Sequence, residues 1–369
     1  MTCRRNDEPE PSIDILKAAS HPDPYPAYRQ LLAGPDPVFD PASGLWIVTR
    51  GATVLDALRH PDLRVRPPDE PVPRALVGSP VGELFGHLVR QNDGPARHDA
   101  PARHDAPKAS LQRALAAAPL DDAARRTARV TAASLDLDDW HLEVPVRSVA
   151  DLLGFPAEDH AAVAGWVRDV VAAFAPGGDL TAGSAAARTL MERFDGFLAR
   201  AAEGLVARVA AEPWEDGAAL RANLAGLLVQ TFEATAALLG NTVVALARGG
   251  DGSDLPGLVD QVMRLDAPVQ NTRRFAAAPL RLGEADLPKG AAVLLVLGAA
   301  GHDPAFDAER NPLGFGWGPH ACPGAALARS IVVAALSERM RHRAGWPATW
   351  RYKPLVNARL PLFAAGGQW

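Results

Sequence analysis

The residues with the plainest chemical meaning lie near the end of the chain. One thiol, Cys322, closes the stretch Phe315-Gly316-Trp317-Gly318-Pro319-His320-Ala321-Cys322-Pro323-Gly324, just before an apolar segment of helical composition. A cysteine at the start of a helix faces backbone N–H groups that favour the thiolate, which is the form that ligates metal. Gly316 and Gly318 reach backbone conformations closed to other residues, Phe315 offers a ring beside the sulfur, and Gly324 allows a close approach from outside. Together they read as a loop that presents a sulfur anion to the iron of a flat macrocycle, a haem. An isolated cysteine would be read as a small buried hydrophobe. The fixed offsets of the glycines, the aromatic and His320 set this one apart.

The spacing Phe-Gly-x-Gly-x-His-x-Cys-x-Gly resembles the haem-ligand signature of the cytochrome P450 family, and every specified position is filled. The resemblance runs from Asp23-Pro24-Tyr25-Pro26-Ala27-Tyr28 to Leu360-Pro361-Leu362-Phe363, nearly the whole chain. It implies a mainly α fold with small β-sheets and a central helix over the haem. It also implies haem b with Cys322 as axial ligand and metal-binding residue, electrons from a ferredoxin or flavodoxin, and insertion of one atom of O2 into a small organic substrate.

The same resemblance assigns groups to the haem propionates. A tandem repeat, Pro95-Ala96-Arg97-His98-Asp99-Ala100 and Pro101-Ala102-Arg103-His104-Asp105-Ala106, falls where the family has a helix carrying His-x-x-x-Arg. The match here is His104 and Lys108, which share a helix face, with His98 as a spare copy. Lysine pairs with a carboxylate as a point charge, without the fork of arginine. Pro107 at the helix start leaves a solvated loop as the competing reading. Arg274 matches the family's second propionate clamp, with His320 as its companion and Arg273 beside it.

Two departures stand out. Where the family has Glu-x-x-Arg, this chain has Gln261-Val262-Met263-Arg264. Arg264 is thus expected to be a buried charge without its counter-charge, helped in part by Asp260 and fixed by Arg310. On the central helix the family's Ala-Gly-x-Glu/Asp-Thr becomes Gln230-Thr231-Phe232-Glu233-Ala234-Thr235. The relay acid is kept as Glu233, but Ala234 stands at the hydroxyl position. Thr235 is turned about 100° away. Thr231 lies on nearly the same face as Ala234: it either supplies a hydroxyl or bonds back to the Leu227 carbonyl. A hydroxyl on the substrate is a third route. These departures keep open a haem-thiolate enzyme with atypical proton delivery, such as a peroxide-using oxygenase, an oxidative coupling enzyme or an isomerase-like catalyst. A non-catalytic haem-binding module is a third class, disfavoured by the intact cysteine loop.

The chain has 369 residues, 48% of them apolar, with net charge −5. That is enough to bury a large core, and no basic run is dense enough for nucleic acid. The two cysteines lie far apart, so a disulfide framework is not expected. Residues 1–11 read as a flexible charged tail, neither signal peptide nor span, and 12–369 as one haem-thiolate domain. The longest apolar run, Ala291–Leu297, is too short to cross a bilayer, and a cytoplasmic location is expected. Strand composition marks Gly44–Thr49, Leu280–Leu282 and Ala291–Leu297. Helical spacing marks Asp121–Ser134, His160–Phe174, Ser184–Ala211, Leu220–Ala247 and Gly324–Arg341. The segments around Arg74–Gln91 and Glu158–Asp179 are expected to line the substrate pocket.

Overall fold

The computed structural model describes residues 14–93, 104–131, 136–200, 203–310, 312–342 and 345–363. The N-terminal tail and the first copy of the six-residue repeat, with the first three residues of the second, lie outside these.

A 31-residue helix, Gly217–Ala247, is the centre of the fold. Asp216 starts it by accepting a hydrogen bond from the Ala219 N–H at 2.7 Å, and Gly249, at φ 90°, follows its end. Its residues are apolar around most of the circumference, so it must be covered on most sides. The helices Leu137–Leu152, His160–Phe174, Leu180–Ala199, Leu255–Leu265 and Ala325–Arg341 supply that cover. This helix is long and apolar enough to span a membrane, with mean hydropathy 1.3, but 78% of that window is buried inside the protein.

The helix expected as one piece over 184–211 is two, Leu180–Ala199 and Gly204–Ala210. Gly204 takes φ 62°, which breaks the helical path. Asp179 sets the earlier start, its carboxylate accepting from the N–H groups of Thr181 and Ala182 at 2.9 Å. The helix Leu137–Leu152 escaped periodicity because its partly buried surroundings and internal Pro145 blur the pattern.

Among the described residues, nine short strands form three sheets. They are β1 Val38–Asp40, β2 Leu45–Val48, β3 Leu63–Arg64, β4 Thr272–Ala276, β5 Leu280–Leu282, β6 Ala285–Leu287, β7 Ala292–Leu295, β8 Arg351–Tyr352 and β9 Pro361–Leu362. The main sheet has the order β1-β2-β7-β4-β3, parallel only between β2 and β7. The predicted strand to Leu297 stops at Leu295, and Leu297–Ala300 turns into a short helix.

Arg359, 1% exposed, ties the two ends of the chain together. It donates to Asp266 Oδ1 at 2.7 Å and to the carbonyls of His21 at 2.5 Å and Pro22 at 2.8 Å. Its guanidinium lies 3.6 Å from the centre of the Tyr352 ring. The Tyr25 hydroxyl donates to the same Asp266 carboxylate. Removing one partner of a buried pair strands the other. Arg359→Ala should therefore lower stability by about 3–5 kcal/mol, read from urea unfolding, and a change inside experimental error would contradict this role.

Candidate active site

The cysteine loop folds as its glycines require. Gly316 and Gly318 take φ 70° and 66°. The Cys322 N–H donates to the Phe315 carbonyl at 2.8 Å, closing the loop. Gly324 is different: its φ is −96°, and a Cβ there would meet nothing nearer than the Cys322 sulfur at 3.9 Å. The protein alone does not demand that glycine, so its use points to something outside the chain.

Cys322 keeps exposed surface although protein surrounds it on nearly every side. Those two facts agree if the sulfur lines the wall of an internal cavity. Burial pushes its thiol up, while the Gly324 N–H and the cations Arg90, Lys108 and Arg329 pull it down. Arg329 also stacks on Phe315, 4.5 Å from the ring centre.

The central helix lines the same kind of space. Within its otherwise buried middle, Leu227, Gln230, Thr231, Glu233 and Ala234 form a partly accessible stripe, while Thr235 is buried. Thr235 therefore points into the core, as the helical rotation requires. The Thr231 hydroxyl donates to the Leu227 carbonyl at 2.6 Å, so the back-bonded alternative is the one adopted. Glu233 is not free: its Oε1 accepts from Lys353 Nζ at 2.9 Å.

Basic groups from three distant segments gather near the loop. The helix Asp105–Ala116 begins directly after His104, and Pro107 sits in its first turn, where proline is tolerated. His104 is buried, donates from Nδ1 to Asp105 Oδ1 at 2.7 Å, and stacks on His320 with ring centres 4.1 Å apart. Lys108 is buried and donates to the Pro319 carbonyl. His320 Nε2 faces Asp93 Oδ1 at 3.0 Å and carries the proton, because a carboxylate only accepts. On β4, alternation leaves Arg273 exposed and buries Arg274. Arg274 reaches only neutral partners, the Thr272 hydroxyl at 3.0 Å and the Arg273 carbonyl at 2.8 Å.

A haem fits this set. A sulfur on a cavity wall, an accessible strip of an apolar helix, and a buried guanidinium and ammonium that meet no carboxylate directly are what a macrocycle with two carboxylates would complete.

No family model matches the chain. The β-dihydromenaquinone-9 ω-hydroxylase of Mycobacterium tuberculosis is 29% identical over 365 residues, covering 88% of this chain and 72% of that one. The cytochrome P450 monooxygenase PikC of Streptomyces venezuelae is 33% identical over 54% of each chain. Among solved structures, CalO2 superposes with a TM-score of 0.76 at 25% identity, covering 96% of this chain and all of that one. P450BioI in complex with an acyl carrier protein bearing hexadec-9Z-enoic acid superposes at 0.75 with 20% identity, covering 93% and 98%. Over nearly its whole length the chain is similar to cytochrome P450s.

The expectation for Arg264 needs correction. It is not a buried lone charge. Its side chain is 34% accessible and pairs with Glu309 at 3.6 Å. Asp260 pairs with Arg329 at 2.7 Å and Arg310 with Asp307 at 3.5 Å, so neither Asp260 nor Arg310 serves Arg264. Gln261 is exposed. The exposed neutral amide and the shift of Arg264 towards Glu309 go together, since nothing at position 261 holds the guanidinium inward.

Two residues that the sequence reading passed over belong to the site. Lys353, on the loop after β8, holds Glu233; between Arg351 and Arg359 nothing in the sequence singles it out. Arg90 falls inside the expected pocket segment Arg74–Gln91. That segment meets the other expected one through an edge-on contact of Phe85 with Phe174, ring centres 5.2 Å apart.

Burial holds the Arg274 guanidinium down at about 10. A base depressed by folding costs the cofactor-free fold stability at every pH below that value, and the cost fades as pH rises through it. Arg274→Met should therefore raise the Tm of the cofactor-free protein by a few degrees at neutral pH, a gain that stays level up to about pH 10 and shrinks only above it, while weakening haem retention. Thermal melts across pH check this, and a lower Tm for the cofactor-free variant would refute it.

Proposed function

We propose that this chain is a haem-thiolate monooxygenase that inserts one oxygen atom from O2 into a moderate-sized organic molecule, with electrons from a separate ferredoxin or flavodoxin. The observation that carries this reading is the Cys322 sulfur, accessible although protein surrounds it, with Arg90 in electrostatic reach of both that sulfur and Glu233 on the accessible stripe of the central helix. The reading treats residues 12–369 as one catalytic domain working in the cytoplasm, with haem b as its cofactor.

Haem, when bound, supplies the oxidising chemistry at its iron. Cys322 would hold it and donate electron density through the thiolate. Arg274 and Lys108 would balance the propionate charge, with His104 and His320 as hydrogen-bonding companions. Phe315, Gly316, Gly318 and Gly324 shape the loop around the sulfur.

Protons come from the chain's own groups. Lys353 is 40% accessible and bonded to Glu233, which is 25% accessible, so the acid is linked to solvent on one side. Its second oxygen, Oε2, has no hydrogen-bond partner among the described residues and can serve water in the cavity. Thr231 has committed its hydroxyl proton to Leu227, and Ala234 has none to give. Glu233 therefore hands protons on through water or through a hydroxyl of the substrate, without a neighbouring threonine.

The same two facts favour, as a second reading, an enzyme that takes its oxygen from peroxide and needs less proton delivery. One variant separates the two. Glu233→Gln should slow O2-driven product formation roughly hundredfold and leave peroxide-driven formation near the parent rate. Equal rates for variant and parent with O2 and an electron donor would remove Glu233 from the relay. The carbon monoxide complex of the reduced protein tests the thiolate itself, and its thiolate signature should be lost in Cys322→Ser.

A further inference from the structure

Arg90 lies in electrostatic reach of Cys322 and Glu233 and belongs neither to the four residues assigned above to the propionates nor to the proton path. It sits in the short turn Val89–Gln91, and the backbone there is locked. The Val89 N–H donates to Asn223 Oδ1 at 3.0 Å, and Asn223 Nδ2 donates to the His87 carbonyl at 2.9 Å. Asn92 Nδ2 closes the turn on the Leu88 carbonyl at 2.8 Å. Gly226 of the central helix lets Leu88 press in, since a Cβ there would lie 2.8 Å from Leu88 Cδ2. A buried asparagine and a glycine thus fix where the Arg90 side chain begins.

That side chain keeps accessible surface while protein surrounds it, as at Cys322. It makes neither a hydrogen bond nor an ion pair among the described residues. Its charge feels Cys322, Glu233 and the like charge of Arg274. None of these is a lasting partner. Glu233 is held by Lys353, the sulfur is taken by iron in the proposed reading, and Arg274 repels it. Asp93, the carboxylate near Arg274, already accepts from His320 and from the Val65 N–H. Two guanidiniums thus lie in electrostatic reach of each other with no unpaired carboxylate between them among the described residues. An arginine fork is matched by a carboxylate, which takes two parallel N–H bonds.

We propose that Arg90 is a carboxylate-binding residue of the cavity, its partner being an acid group carried in by a bound molecule. The proposal rests on the haem-thiolate reading. The acid belongs either to the organic substrate, which would then be a carboxylic acid oxidised away from its charged end, or to a haem propionate.

Two measurements on the haem-loaded protein separate these sources. The first titrates parent, Arg90→Gln and Arg90→Lys with imidazole-terminated alkanoic acids of graded length and with the matching alcohols, following the haem absorption shift. The second follows haem transfer to apomyoglobin, with ordinary haem and with its dimethyl ester. A substrate acid is the partner if Arg90→Gln weakens the acids about ten- to hundredfold, spares the alcohols, and leaves haem transfer unchanged. A propionate is the partner if transfer quickens by a similar factor for ordinary haem and not for the ester. Arg90→Lys should keep part of either effect, and it replaces the glutamine variant if that one fails to fold. Unchanged acid preference together with unchanged transfer overturns the proposal. A parent protein whose carbon monoxide complex lacks the thiolate signature overturns the underlying reading instead, whatever Arg90 does.

Discussion

Positive charge that the protein cannot neutralise by itself governs this molecule. Arg90, Lys108 and Arg274 all lie out of bulk water and all are pushed towards deprotonation by burial. Against them stand Asp93, already engaged, Glu233, already paired, and a thiol that burial keeps neutral. The fold is therefore incomplete in charge. In the proposed reading the occupant of the cavity would bring anions, and its metal would hold Cys322 as the thiolate. A macrocycle with two carboxylates and a Lewis-acidic centre satisfies both demands. Cofactor binding and stability are consequently coupled, because each bound carboxylate removes a cost that the empty fold carries.

The scaffold that holds these charges in place is built from close approaches to one helix. Gly226 admits Leu88, and with Asn223 it fixes the turn bearing Arg90. Gly240 admits Pro361, whose Cγ would stand 2.6 Å from a Cβ at that position. The C-terminal hairpin is thereby pressed against the central helix, two turns beyond Glu233. His141 reinforces the contact by facing the Pro361 carbonyl at 3.0 Å. The far side of the hairpin is stacked on Arg359 through Tyr352. Lys353 is thus carried on a braced support, which is why a flexible side chain can hold Glu233 at a defined place.

Much of this was legible in the residues, and the illegible parts have physical causes. The cysteine loop could be read because positive-φ glycines, an aromatic and a thiol at fixed offsets have few other uses; Gly316 and Gly318 adopt the conformations those offsets imply. The helix His160–Phe174 showed its true ends because Pro and Gly punctuate both flanks. Arg274 was preferred over Arg273 through the family resemblance alone, and the alternation of β4, which buries Arg274 and exposes Arg273, was not read from the residues. The helix Leu137–Leu152 was obscured by its proline. Arg264 was misjudged because an expected ion pair was projected onto a position, 261, that turns outward. Lys353 and Arg90 were missed for a different reason. Each matters through a partner more than a hundred positions away or through the lack of one, and no local pattern encodes either.

Proton supply shows how far a single hydrogen bond can redirect a mechanism. Thr231 and Ala234 share a helix face, so at the level of sequence Thr231 looks like a displaced replacement for the absent hydroxyl. The helix offers that hydroxyl a closer acceptor, the Leu227 carbonyl one turn back, and the bond at 2.6 Å is shorter than a typical hydroxyl–carbonyl contact. Once the proton points along the helix, the oxygen can still accept from water but cannot donate onward without rotating. In the proposed reading the burden would pass to Glu233, which is 25% accessible and whose ammonium partner Lys353 is 40% accessible. An acid held in this way delivers protons best when a water or a substrate hydroxyl bridges the remaining gap. In the proposed reading the occupant of the cavity would then set the rate of proton delivery as well as the site of oxidation, coupling recognition to activation.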